Sequence, residues 1–125
     1  MKRVILDTNF ILTCIKQKID FFDDIKIMGL EILIPEEVLY EIKKIASSKK
    51  KFHFREDAKF ALMLLKQNKE QFKKIKISNE NVDEGIKKFA EENKDIIVAT
   101  LDKELKEKLM NKKLIIKGKK KLEII

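Results

Sequence analysis

Apolar residues follow two rhythms along this chain. Short apolar runs mark strands: Val4-Ile5-Leu6 reads as one buried on both faces, Glu31-Ile32-Leu33-Ile34 as a second, and Asp95-Ile96-Ile97-Val98-Ala99-Thr100 as a buried one. Between them lie stretches in which apolar side chains recur every three or four positions, the period of a helix with one buried face.

In chain order, Val4-Ile5-Leu6 stops at the N-cap cluster Asp7-Thr8-Asn9, and Phe10, Ile11, Cys14 and Ile15 predict a helix after it. A second helical segment covers Phe21 to Met28 and ends at Gly29. Pro35 closes the second strand and opens a helix from Glu36 to about Ala46, with Val38, Leu39, Ile42 and Ile45 as its stripe. Ser47-Ser48-Lys49-Lys50-Lys51 lacks any period and reads as a loop. Helical spacing resumes from Arg55 to about Gln71, Phe72 to Ile77 reads as a strand with one wet face, and Asn79 to Glu92 returns to helix. Asp102 opens a short helix carrying Leu105 and Leu109. Leu114-Ile115-Ile116 and Leu122 to Ile125 then close the chain as a strand pair about Lys117-Gly118-Lys119.

Strands that alternate with helices need crossover connections, so the order predicts an α/β fold, a three-layer α/β/α sandwich around a mostly parallel sheet. No repeat or linker interrupts it, and residues 1–125 are expected to form one domain. In such sheets ligands bind beyond the carboxyl ends of the strands.

Composition narrows the chemistry. The 125 residues include one cysteine, one histidine, three glycines and no tryptophan, so a Cys/His zinc site, an internal disulfide and a glycine-rich nucleotide loop are all excluded. Cys14 lies in an apolar run and reads as a buried thiol, and His53, between Phe52 and Phe54, as a packed or solvated ring. The three apolar residues before Asp7 are too few for a signal peptide or a membrane span, which predicts a cytoplasmic protein.

Carboxylates remain. Asp7 follows the first strand directly, and Asp102 follows the Ile96–Thr100 strand after one residue. Asp83 lies beyond the strand at Ile75–Ile77, and Glu41 lies about four residues into the helix after Ile34, with a side chain long enough to reach back. All four are expected at one rim of the sheet. Singly, each has an ordinary explanation: Asp7 and Asp102 as helix caps, Asp83 as a favourable charge at a helix N-terminus, Glu41 as a surface residue. Those explanations give no reason for a shared rim. Clustered acids repel, and a divalent cation with hard-oxygen preference, Mg²⁺ or Mn²⁺, relieves them and suits phosphodiester hydrolysis. With 29 Lys and Arg against 21 Asp and Glu the net charge is +8, and a polyanion such as RNA or DNA is the natural partner.

At these residues the chain resembles the PIN-domain family of metal-dependent nucleases, which includes toxin ribonucleases and ribosomal-RNA processing enzymes. The resemblance spans nearly the whole chain and rests on four motifs: Leu6-Asp7-Thr8-Asn9; Ile34-Pro35 followed by Val38-Leu39-Tyr40-Glu41-Ile42; Val82-Asp83-Glu84-Gly85-Ile86; and Ile97-Val98-Ala99-Thr100-Leu101-Asp102. It implies catalytic and metal-holding roles for Asp7, Glu41, Asp83 and Asp102, with Asn9 and Thr100 in support. Glu84 beside Asp83, and Glu36 and Glu37 before Glu41, are competing carboxylates; the family pattern selects Asp83 and Glu41. Leu101 departs from it, standing where the family often has a polar residue.

The implied activity is cleavage of single-stranded RNA, as a toxin with an antitoxin protein partner or as an RNA-processing enzyme, and family members often form homodimers. Two basic stretches are candidates for holding RNA: Lys49, Lys50 and Lys51, in a mobile stretch with Phe52, His53 and Phe54 as stacking rings, and Lys117, Lys119, Lys120 and Lys121. The contrasting reading is a non-catalytic RNA-binding or assembly protein that keeps the fold. A DNA flap nuclease fits less well, because the chain lacks length for a DNA-clamping region.

Overall fold

The computed structural model describes residues 2–78 and 80–125. Strand β1 (Arg3–Leu6) leads into helices α1 (Thr8–Lys16) and α2 (Phe21–Ile27), strand β2 (Glu31–Pro35), and helices α3 (Glu36–Ala46) and α4 (Phe52–Gln67). A 3₁₀ turn at Lys69–Gln71 precedes β3 (Phe72–Ile75), followed by α5 (Val82–Glu92), β4 (Ile97–Ala99), α6 (Lys103–Lys108), β5 (Lys113–Lys117) and β6 (Lys121–Ile124).

The strands form a six-stranded sheet in the order β3-β2-β1-β4-β5-β6. Every neighbouring pair is parallel except β5 and β6, which are antiparallel. The fold is α/β with a mostly parallel sheet, as the alternation of runs predicts. Successive strand side chains point to opposite faces, and Val4, Ile5 and Leu6 are all fully buried, as are Val98 and Ala99. Helices must therefore cover both faces at the sheet centre. Gly29 ends α2 with φ +74°, and Gly118 and Lys119 turn the closing hairpin at φ +59° and +61°, conformations that glycine adopts without the steric cost borne by other residues.

Several boundaries differ from the sequence reading: α4 ends at Gln67 rather than about Gln71, α6 ends at Lys108 before Leu109, and three further differences have a local reason. Helix α4 begins at Phe52 rather than Arg55, so Phe52, His53 and Phe54 form its first turn instead of belonging to a mobile loop. All three rings stay exposed; the turn is closed by the Phe54 and Arg55 amides, which donate to the Lys51 carbonyl at 3.0 and 3.2 Å and extend the helix backwards from its packed part. Strand β3 stops at Ile75 rather than Ile77, because the Ile77 and Ser78 amides donate to the Glu37 carboxylate. Strand β4 is shorter than Asp95–Thr100, since the Ile96 amide bonds the Asn93 carbonyl at 3.0 Å in a turn. The expected helix start at Asn79 lies outside the described residues; α5 is capped at Asn81, whose Oδ1 accepts the Glu84 amide at 3.1 Å.

Asn111 fixes the α5–β4 junction: its buried side-chain amide donates to the Ile96 and Ala90 carbonyls at 3.0 and 3.1 Å. No helix among the described residues is long and apolar enough to cross a membrane.

Candidate functional site

The rim at the carboxyl ends of β1 and β4 is built around Asp7. Its amide donates to the Ala99 carbonyl at 3.0 Å, closing the β1–β4 ladder, and its extended backbone caps α1. The side chain therefore has one direction to take. Oδ1 accepts the Thr8 amide at 2.7 Å, and Oδ2 accepts the Thr100 hydroxyl at 2.9 Å. Thr100, itself fully buried, accepts the Asp102 amide at 3.1 Å, and Asp102 Oδ1 caps α6 by accepting the Leu105 amide at 3.1 Å. Asp7 and Asp102, the acids after the two central parallel strands, are thus joined through one hydroxyl.

Asp7 is only 3% exposed, and burial pushes its carboxyl up to about 6. The Thr100 and Thr8 hydrogen bonds hold it down, while the charges of Asp83 and Glu41 raise it further. Asp83, in the first turn of α5, is also raised, first by burial, then by the charge of Asp102 and hydrogen bonding with it, and then by Glu41 and Glu84. Asp83 and Glu41 thus act on Asp7, and Asp102 and Glu41 act on Asp83, which puts the four acids in one electrostatic neighbourhood. Among the described residues no three His, Cys, Asp or Glu side chains form a ready-made metal cage, so the acids share a field rather than a closed shell.

Asp83 reaches this rim although β3 is an edge strand, separated from β1 by β2. Glu37 of α3 tethers the crossing. Its two carboxylate oxygens accept the Ile77 and Ser78 amides at 3.2 and 3.1 Å, with Ser78 at φ +51°. Ile77 in turn packs against Gly85, where a Cβ would lie 2.6 Å from the Ile77 Cδ1. Glu36 faces Lys76 at 3.9 Å. Both acids that precede Glu41 are therefore engaged with the segment after β3, whereas half-buried Glu41 acts on Asp7 and Asp83.

Other positions singled out by the sequence fall around this centre. Asn9 is exposed and lines a small groove with Lys16, Lys50 and Phe54, while the hydrogen bonds to the Asp7 carboxylate come from Thr8 and Thr100. Lys49, Lys50 and Lys51 are exposed between α3 and α4. Lys119 and Lys120 occupy the β5–β6 turn, and because β5 runs parallel to β4 that turn stands at the same rim as Asp7. Leu101 is half-buried and packs against the core.

Two residues carry more than sequence reasoning assigned them. Thr8 supplies the amide for Asp7 and holds a buried hydroxyl with no hydrogen-bond partner among the described residues. Its place in Asp7-Thr8-Asn9 was a signal. Glu37 gave none, since its partners lie forty residues away in a segment with no pattern of its own. A larger cavity of about 800 Å³ opens elsewhere, beside Cys14, Ile19, Phe60 and Met63. Its cysteine is buried with the thiol pushed up to about 12, chiefly by burial, and is unreactive.

Comparison with known proteins agrees with this architecture. A family model described as a PIN like domain matches residues 4–119. The chain is 32% identical over 130 residues to Ribonuclease VapC4 of Methanocaldococcus jannaschii, an alignment covering 99% of this chain and 97% of that protein. The solved structure of the PIN domain endonuclease Utp24 superposes with a TM-score of 0.78 at 26% identity, covering 98% of this chain and 90% of that one. VapBC2 from Rickettsia felis, solved bound to a DNA fragment from its promoter, shares the fold with a TM-score of 0.60 at 21% identity, over 89% of this chain and 98% of that one. With the family model spanning nearly its full length, the chain belongs to the PIN-like domain family.

Proposed function

We propose that this protein is a Mg²⁺- or Mn²⁺-dependent endoribonuclease that hydrolyses phosphodiester bonds of single-stranded RNA, with residues 1–125 acting as one nuclease domain. The observation that carries the reading is the pair of acids at the carboxyl rim, Asp7 and Asp102, joined through the Thr100 hydroxyl, with Asp83 and Glu41 near enough to raise the Asp7 carboxyl, in a chain with net charge +8. The similarity to a named ribonuclease and a named PIN endonuclease supports it.

The donor set fits a hard divalent ion. All four side chains are oxygen donors, and Mg²⁺ usually takes only one or two carboxylates, completing its shell with water and substrate phosphate. An open arrangement of acids is what that habit requires. The orphaned Thr8 hydroxyl adds a further polar atom beside Asp7. Asp7, Glu41, Asp83 and Asp102 would hold the ion, which when bound supplies Lewis acidity and charge neutralisation at the scissile phosphate.

The chain's own residues do the rest. Thr100 and the Thr8 amide fix the Asp7 carboxylate and favour its charged form at neutral pH, against the burial that opposes it. Asp102 is oriented by the α6 amide it caps. Lys119 and Lys120 at the rim, with Lys49, Lys50 and Lys51, offset the charge of the approaching strand. An antitoxin-type protein and a second copy of the chain are the proposed protein partners, as the family resemblance implies.

The test is incubation with single-stranded RNA in Mn²⁺, in EDTA, and with Asp7→Asn. Cleavage is expected only for the wild type with metal. Cleavage that survives both EDTA and the substitution overturns the mechanism, and RNA binding without cleavage under any condition leaves the non-catalytic binding protein as the function.

A further inference from the structure

The groove between α1 and the start of α4 lies outside the acid cluster, and its first lining residue, Asn9, stands two positions after Asp7. Asn9, Thr13 and Lys16 fall along one face of α1, and Lys50, Phe54 and Asp57 face them from the loop and first turns that follow α3. Leu12 and Ile45 give it an apolar floor, and its volume is about 270 Å³. Lys16 stands about 10 Å along the helix axis from Asn9, at roughly 1.5 Å per residue.

Phe54 is 44% exposed, and its ring is backed by that of His53, with centroids 4.2 Å apart. Such a ring, fixed in a helix rather than a loop, presents a face on which another flat ring can stack. The two lysines outnumber the single carboxylate of Asp57, so the groove favours an anion that carries a planar group. Asp57 accepts hydrogen bonds only, and Asn9 both donates and accepts, which suits the edge of a base. A small half-open groove accommodates one residue of a strand and not a duplex, whose bases are stacked internally.

We propose that this groove binds one unpaired nucleotide of the substrate strand next to the scissile position, its base stacked on Phe54 and its phosphates held by Lys16 and Lys50. The assignment rests on the nuclease reading above and adds to it the requirement for an unpaired base on the α1 side of the rim.

The experiment measures binding of the full chain in EDTA to a labelled single-stranded RNA octamer, to the same octamer with abasic sites, and to its duplex, with cleavage in Mn²⁺ followed in parallel. Phe54→Ala is expected to weaken single-strand binding by roughly 5- to 150-fold, the range for one stacked base, with little effect on the abasic strand, and Phe54→Trp to restore it. Lys16→Gln and Lys50→Gln should each reduce the slope of log affinity against log salt by about 0.7, and Lys73→Gln on the distant β3 edge should leave single-strand affinity near wild type. Wild-type affinity in the Phe54 and both lysine variants, equal losses on single strand and duplex, or no RNA binding by the wild type would each overturn the subsite. Cleavage by the wild type with unaltered variant binding refutes the groove alone. Absence of cleavage refutes the nuclease reading, while the binding series still decides the groove.

Discussion

The Thr100 hydroxyl donates to Asp7 Oδ2 at 2.9 Å across two strands that are ninety-three residues apart in the chain, and the same oxygen accepts the Asp102 amide at 3.1 Å. One side chain thereby sets both the orientation of a buried carboxylate and the position of the acid that follows β4. Thr100→Val keeps the shape and removes both bonds. It should cost about 1–3 kcal/mol of stability, the penalty for unsatisfied buried polar groups, and raise the Asp7 carboxyl further. If Asp7 must be ionised for cleavage, the acid limb of the pH–rate profile moves upward in Thr100→Val and returns in Thr100→Ser. An unmoved limb would show that the hydroxyl does not govern Asp7.

The pH dependence of stability follows from Asp7 with a definite sign. Its folded carboxyl, at about 6, lies above the ordinary value of 3.8, so between these values the folded chain binds more protons than the unfolded one. Stability from this group is therefore full below about pH 4 and is lost as pH rises through about 6, by about 3 kcal/mol at about 1.4 kcal/mol per unit. Asp7→Asn removes that loss, less the worth of one hydrogen bond, while abolishing cleavage. Denaturant melts from pH 4 to 7.5 without divalent ions should show a flatter profile in the variant; equal slopes would contradict it.

Glu37 is expected to act as a positioning residue for Asp83. Its carboxylate holds the Ile77 and Ser78 amides, and Ile77 sits against Gly85 two residues from Asp83. Glu37→Ala should lower kcat more than it raises KM, by roughly tenfold if the loss of placement is worth about 1.4 kcal/mol. Glu37→Gln retains one acceptor and should recover part of the rate. Gly85→Ala is expected to act the same way, because its methyl group displaces Ile77 even as alanine favours the helix. A loss confined to KM in all three variants would argue against placement of Asp83.

Metal should stabilise the fold through the same acids. At a concentration about a hundredfold above its dissociation constant, Mn²⁺ is expected to add about 2.7 kcal/mol, seen as a rise in Tm that EDTA reverses. Asp83→Asn should shrink that rise and leave the metal-free Tm equal or slightly higher, since it relieves the repulsion from Asp102 and Glu41. A rise of the same size in Asp83→Asn would place the ion elsewhere.

Much of this was legible in the chain because its signals are local. The all-apolar runs at Val4–Leu6 and Ile97–Ala99 mark strands buried on both sides, and their alternation with helices admits few topologies. From there Asp7 and Asp102 fall at a common rim by position alone. Asp83 was harder, since its place depends on a crossing from the sheet edge that the sequence does not describe. Phe52-His53-Phe54 carries no helical signal of its own, since its side chains stay exposed and the turn only extends a helix whose buried residues begin at Ala58.

By itself the sequence determined the fold class, the buried runs, the four acids and the basic charge, all of which depend on residue type and on spacing within one element. Only the tertiary structure decided that Glu37 would be bound to a loop while Glu41 stays in the acid neighbourhood, that Thr100 would bridge Asp7 and Asp102, and that Lys50 and Phe54 would face α1 across a groove. Each of these is a contact between elements distant in the chain. Such contacts are set by how whole helices and strands fill space against one another, and no periodicity along the chain records them.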